Sequence, residues 1–282
     1  MKFNKKASLL VAAAFLGLAT TATAQSKFYV GAQVGYGLPA NGDVMGVEGN
    51  STSLKNVYGS VGGGFTAGIN VGYNITNFLS FDLGGQFLAG STVTEMDYAI
   101  DGYSEKQTMH TSQIRLIPSL VVKGGEGALK PFARFGVILP VSGKTTQEYT
   151  EVDPTAMGNK TTNRTYEFKG ALSLGFDAGV GISYDLNENL SLTAELNYTA
   201  LRIKTKSGEM TDYSVKLGET PMAGLENVPG YLQNINFVDE LNSSTNDGEY
   251  GTNFDENKAS DQLARRTNFN SIGLKVGVKY NF

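Results

Sequence analysis

Residues 266–282 read RTNFNSIGLKVGVKYNF, and the alternation in this stretch decides the fold. From Ile272 on, every second residue is apolar: Ile272, Leu274, Val276, Val278, Tyr280 and Phe282. Ser271, Gly273, Lys275, Gly277, Lys279 and Asn281 fill the other positions. A period of two describes a strand with one greasy face and one small or polar face.

Seven further segments alternate in the same way, at 28–38, 65–73, 79–87, 113–123, 131–141, 168–184 and 190–198. The sixth is read as one continuous strand, with Phe168, Leu172, Leu174, Phe176, Val180, Ile182 and Tyr184 on its apolar face. Pro118 removes a ladder donor inside the fourth, so a bulge or local distortion is expected there. Connections alternate in length. Those at 74–77, 124–129 and 185–189 are short; those at 39–63, 89–110, 142–165 and 203–265 are long. The chain is therefore all-β.

Periodicity alone does not say which face meets water. Composition does: the face opposite the apolar one is mostly Gly, Ser, Thr, Asn and Gln, which suits a crowded narrow barrel interior. Aromatics mark both rims of the apolar face, with Phe28, Tyr73, Tyr184, Tyr280 and Phe282 at the short-turn end and Tyr36, Phe65, Phe87, Phe168 and Tyr198 at the long-loop end. Two aromatic girdles bounding an apolar band belong to a transmembrane barrel, as do short turns on one side and long loops on the other.

On these residues the chain resembles the small outer-membrane β-barrel domains of the OmpA-like superfamily. The resemblance implies an eight-stranded antiparallel transmembrane barrel over residues 25–282, with short periplasmic turns, long extracellular loops and outer-membrane lipids around it. It also implies that the closing strand, through Val278, Tyr280 and Phe282, is the signal read by the barrel-assembly machinery. A peptidoglycan-binding domain, found in two-domain relatives, is not expected after the last strand. A hairpin hidden in the fourth long loop would raise the strand count to ten.

The N-terminus agrees with export. Lys2, Lys5 and Lys6 precede a short apolar core, Leu9 to Leu18, and Ala22-Thr23-Ala24 is a small-residue cleavage site. Residues 1–24 are read as a cleaved signal peptide. Removing its three lysines, with no acid lost, takes the net charge from -4 to -7. There is no cysteine for a disulfide or lipid anchor. Acidic charge without a basic patch argues against nucleic acid as a partner, and no cofactor or metal motif is present.

Asp82, Arg115, Arg134, Asp177, Glu195 and Lys275 all fall on the inward face. Buried charges must be paired, so the expected arrangement is an ion-pair plug, with Arg115, Glu195 and Lys275 at its centre and Asp82 and Arg134 nearer the turn end. The alternative is a narrow polar path or gate for small or apolar solutes. The single histidine, in His110-Thr111-Ser112, is similar to the H-x-S pair of outer-membrane lipid A deacylases. It needs an orienting acid; Glu126 lies at the wrong membrane end, and Glu95 or Glu105 are the candidates left. That lipid-modifying reading is the lesser one, and no catalytic residue is assigned.

Recognition is expected in the loops. Asp101-Gly102 is a hairpin signal, and the third loop reads similarly around Asp153-Pro154 and Gly158-Asn159. The fourth, residues 205–264, carries eleven acids and three bases. Its segment Val228 to Leu241 is apolar enough to cap the barrel mouth as a helix or hairpin, while Asn242 to Ser260 is read as mobile. Divalent-cation binding by this loop is a second possibility, although calcium-loop spacing is not met. The overall expectation is a structural or surface-recognition barrel whose ligand or partner the sequence does not name.

Overall fold

The structure is a computed structural model that describes residues 27–282 apart from Asn41 and Glu126. The expected signal peptide and the Glu126 position lie outside the described residues. In chain order the strands are β1 (Phe28–Pro39), β2 (Asp43–Asn50), β3 (Leu54–Gly59), β4 (Gly64–Asn74), β5 (Leu79–Gly90) and β6 (Val93–Ile100). Next come β7 (Tyr103–Lys123), β8 (Leu129–Thr155), β9 (Gly158–Gly170), β10 (Gly175–Asp185), β11 (Leu190–Ala200) and β12 (Arg202–Leu217). Last are β13 (Thr220–Gly224), β14 (Asn234–Val238), β15 (Ser260–Leu263), β16 (Arg266–Asn268) and β17 (Ser271–Asn281).

Eight of these strands pair antiparallel in a closed cycle, β1–β4–β5–β7–β8–β10–β11–β17 and back to β1. The alternating sequence explains the closure. The strands turn most of their apolar residues outward, so Leu274, Val276, Phe135, Val180 and Leu196 are all exposed, while Leu88, Ile117, Val121 and Ile138 are buried inside. The cycle pairs each strand with two neighbours, as lipid favours, and leaves 139–144 of β8 laddered on one side only. The two ends of the described chain meet: β1 and β17 pair from Tyr29–Asn281 to Pro39–Ser271, and the Phe282 amide donates to the Phe28 carbonyl at 3.2 Å.

The long connections are mostly sheet. The first holds the β2–β3 hairpin, which the alternation of the flanking strands does not announce. The second is the expected hairpin, with Asp101 and Gly102 both at positive φ (46° and 84°) in the turn. The third closes at Thr155–Gly158, between the two predicted turn signals. In the fourth, β12 continues for thirteen residues past 204, laddered to β9, and then folds back on β13. That hairpin adds nothing to the closed cycle, which stays at eight strands.

Three expectations are corrected. Residues 168–184 are not one strand: the chain leaves strand geometry at 171–174 between β9 and β10. Phe168 consequently does not join the outer girdle; its ring packs against Tyr166 and Phe237. Finally, 242–260 is not a loose segment. The Asn246 side chain donates to the carbonyls of Asp255 (3.0 Å) and Ala259 (2.9 Å) and accepts from the Asp255 amide at 2.7 Å. Its own amide donates to Asp261 at 2.7 Å. Polar residues that looked solvating by composition are spent on local turns.

Pro118 behaves partly as expected. The β7–β8 ladder lacks pairs at Ile117 and Pro118 but keeps its register from Leu116–Leu139 to Ser119–Gly136. The register shift lies higher, between Ile114 and Arg115, where Ile114 pairs with Ser142 and Arg115 with Pro140. Val141 is therefore the extra residue of a bulge, and inward parity on β8 changes across it.

Candidate functional site in the lumen and mouth

Register brings four of the six inward charges together. Glu195 on β11 lies directly opposite Lys275 on β17 and Gly181 on β10. Arg134, one strand further round on β8, extends its guanidinium to Glu195, with Nε–Oε2 at 3.0 Å and Nη2–Oε1 at 2.6 Å, and also donates to Asp177. Lys275 Nζ lies 3.4 Å from Asp177 and 3.7 Å from Glu195. Asp177 also accepts from Asn197 at 2.9 Å and Thr199 at 2.8 Å. Two cations and two anions thus cross the lumen from four strands, all nearly excluded from solvent.

The other two do not join. Asp82 accepts from Tyr29 and, at 2.9 Å, from Asn70 nearer the turn end. Arg115 was expected at the plug's centre, and the structure corrects this. Its Nε donates to Gln113 at 2.6 Å while its Nη2 has no protein partner, although the residue is 1% exposed. It sits at the level of Gln86 and Pro140, above the plug. Arg134 takes its place because a long side chain rooted low can reach the carboxylates from below. Strand position fixes where a Cα is, not where a guanidinium ends.

Above this network the lumen turns apolar. Val61, Met109, Ile117, Ile138, Leu201, Ile203 and Phe269 form one buried cluster. Over it opens a cavity of about 830 Å³, lined by Met109, Ile203 and Phe269 below and by Phe168, Ile235 and Phe237 at the side. Ile235 and Phe237 come from the apolar segment expected to cap the mouth, and they do border it. The cavity wall has a gap. On β8, residues 139–144 have no partner strand except β7, with Val141 bulged out of that ladder. The β8–β10 ladder stops at Ile138–Gly175, and the β8–β9 ladder resumes only at Thr145–Phe168. Equal numbers of positions lie between the two ladders on each side, so no insertion forces the strands apart. The opposing segment is held from its far side, where the Ala171 amide donates to the Lys204 carbonyl at 2.8 Å.

Sequence reasoning did not single out Lys169, Arg265, Arg266 or Phe269, all of which line this cavity. The doubled arginine in an otherwise acidic stretch was the one available signal.

His110 sits on the outward parity of β7, as does Ser112, and pairs across to Thr146. Neither candidate acid orients it. Glu95 accepts from Gln107 (2.8 Å) and Gln147 (2.6 Å), and Glu105 accepts from Tyr103 at 3.3 Å, all on the other face of the sheet. Higher still, burial, then the Glu105 and Glu151 carboxylates, push the Tyr149 phenol well above its usual range. Arg164 stacks 4.0 Å over its ring. In the acidic segment, the Thr245 hydroxyl and the Tyr250 amide hold the Asp247 carboxyl below the usual carboxylate value. Among the described residues no three metal-ligating side chains converge.

Closed strand pairing, an outward apolar face and an inward polar one define an integral outer-membrane β-barrel protein. The chain belongs to the outer membrane protein beta-barrel domain family, whose profile matches residues 7–218. No curated protein sequence matches it. Among solved structures it is similar to Neisserial surface protein A, at 15% identity and TM-score 0.38 over 91% of this chain and 98% of that one. It is also similar to a major outer membrane protein from Thermus thermophilus, at 14% identity and TM-score 0.38 over 90% and 99%. The translocator domain of the autotransporter NalP from Neisseria meningitidis matches at 11% identity and TM-score 0.25 over 99% and 95%.

Proposed function

We propose that this protein is an eight-stranded transmembrane barrel with a sealed lumen, whose work is surface recognition by the sheet and loops above the membrane. The observation that carries this reading is the Arg134–Asp177–Glu195–Lys275 network. An eight-stranded barrel is just wide enough for its own side chains to fill, and here four buried charges from four strands meet across it. Opening a water path there would strand charges that now satisfy one another. Outside the membrane, by contrast, β7, β8, β9 and β12 continue as a laddered sheet that offers a contact surface.

Two further roles belong to this reading. Val278, Tyr280 and Phe282 serve as the recognition signal for the barrel-assembly machinery, supported by their place on the outward face of the closing strand. A lipid-modifying role is the lesser reading, because among the described residues Glu95 and Glu105, the candidate acids, bond Gln107, Gln147 and Tyr103 rather than His110. Single-channel recording of the refolded chain in a planar bilayer tests the central claim. A folded but silent barrel is expected; reproducible conductance steps would overturn the sealed lumen and make the protein a narrow channel.

A further inference from the structure

The gap between β8 and β9/β10 has a position and a chemistry. Ser142 pairs with Ile114, and Ile114 with Phe87, so the gap begins at the level of the loop-end aromatic girdle. Its outer edge carries Val141, Leu172 and Leu174, and Leu172 is 84% exposed. Apolar side chains so exposed, at that height, face the outer leaflet rather than water. Behind them lies the cavity floored by Met109, Ile203 and Phe269. A lateral window thus joins the membrane to an apolar chamber.

The chamber's rim is charged in one sense. Lys169, Arg265 and Arg266 line it, and among the described residues none of the three has an ion pair. The rim acids are already engaged: Asp43 pairs with Arg202 at 3.0 Å, and Glu95 is held by two glutamine amides. Three uncommitted cations stand out where the surrounding loop, 205–264, holds eleven acids against three bases. The volume, about 830 Å³, falls within the range of small-molecule sites, roughly 300–1,000 Å³.

We propose that this chamber binds a single-chain anionic amphiphile of the fatty-acid class, which enters sideways through the window from the outer leaflet. The tail lies on Met109, Ile203 and Phe269, and the carboxylate meets Lys169, Arg265 and Arg266. An apolar floor gives burial, guanidinium groups suit a carboxylate, and the window spares the tail a passage through water. The inference rests on the sealed-lumen reading, because the ligand must stop above the Arg134 network.

The test uses the absence of tryptophan from the chain. Phe237→Trp places a single indole on the chamber wall, and Phe81→Trp places one on the lipid-facing surface. Both proteins are refolded, checked for the heat-modifiable gel mobility of a closed barrel, and put in phospholipid nanodiscs. Dibromostearate should quench the chamber indole saturably. Brominated phosphatidylcholine should quench the lipid-facing indole and leave the chamber indole bright. Adding Arg265→Ala and Arg266→Ala should weaken dibromostearate affinity at least tenfold, and hexadecanol should compete far more weakly than palmitate. Equal quenching of the chamber indole by brominated phosphatidylcholine would mean that bilayer lipid fills it and would overturn the proposal. Absence of dibromostearate quenching in a folded, non-conducting barrel would also overturn it while leaving the sealed lumen intact. Conductance would sink the sealed lumen instead.

Discussion

Arg134 grips Glu195 with two parallel hydrogen bonds, Nε to Oε2 at 3.0 Å and Nη2 to Oε1 at 2.6 Å, from a strand that does not pair with it. This side-on clasp ties β8 to β11 across the lumen, over the glycine-bearing face of β10. It converts a wall of local hairpins into a cross-braced tube. Arg115, the more deeply buried of the two, makes no such clasp, so two arginines on one inner surface carry different weight.

That difference is measurable. Arg134→Leu leaves Asp177 and Glu195 sharing Lys275 alone, which should cost about 3–5 kcal/mol of unfolding free energy. Arg115→Leu removes one hydrogen bond together with a partnerless Nη2, and should cost no more than about 1–2 kcal/mol. Urea unfolding of the two variants in lipid vesicles compares them directly. Equal losses would show that Arg115 belongs to the brace after all.

Glycines divide by face, Gly72 being inward on β4 and Gly85 outward on β5 beside the exposed Ile69 and Leu116. A Cβ on Gly72 would run into the Tyr29 ring, which lies over it, whereas the nearest atom to a Cβ on Gly85 is Ile69 Cγ1 at 4.0 Å. Gly72→Ala should therefore destabilise by about 1–3 kcal/mol through overpacking, and Gly85→Ala should be close to neutral. Thermal gel-shift midpoints of the two variants decide this, and a larger loss in Gly85→Ala would contradict the packing assigned to both sites.

The turn around Asp247 should be acid-sensitive. Asp247 accepts from the amides of Glu249 (3.0 Å) and Tyr250 (2.7 Å) and from the Thr245 hydroxyl at 2.6 Å, and these bonds lower its pKa in the folded protein. A lowered folded pKa contributes stability that is complete above the unfolded value, about 3.9, and is lost as pH falls through the folded one. Protection from hydrogen exchange at the Glu249 and Tyr250 amides, taken relative to the intrinsic rate at each pH, should hold from neutral pH to about pH 4 and fall below it. Asp247→Asn, which keeps an acceptor but does not titrate, should flatten the profile. Unchanged protection at about pH 2 in the unaltered chain would refute this.

At the hairpin tip, Gly102 at φ 84° and Asp101 at φ 46° set the turn between β6 and β7. Gly102→Val places a β-branched residue where only glycine is at ease, so local opening should become easier by about 1 kcal/mol or more. Limited proteolysis at 98–105 should accelerate, with the gel mobility of the barrel unchanged. A variant as resistant as the parent would show that the tip is set by its flanking strands alone.

Local pattern was enough to establish the all-β class, the outward face of each strand and the alternation of short turns with long loops. Those features repeat every two residues or sit at single turn dipeptides, so a short window of residues contains them whole. The same pattern showed which charges point inward. Everything that depends on reach, or on a choice between partners, emerged only in three dimensions. Arg134 rather than Arg115 braces the lumen because a flexible side chain ends far from its Cα. The gap beside 139–144 was invisible because alternation runs unbroken from Phe168 through Leu174 to Phe176. Ala171 bonds β12 instead of β8, and no pattern within one segment records which neighbour wins a hydrogen bond.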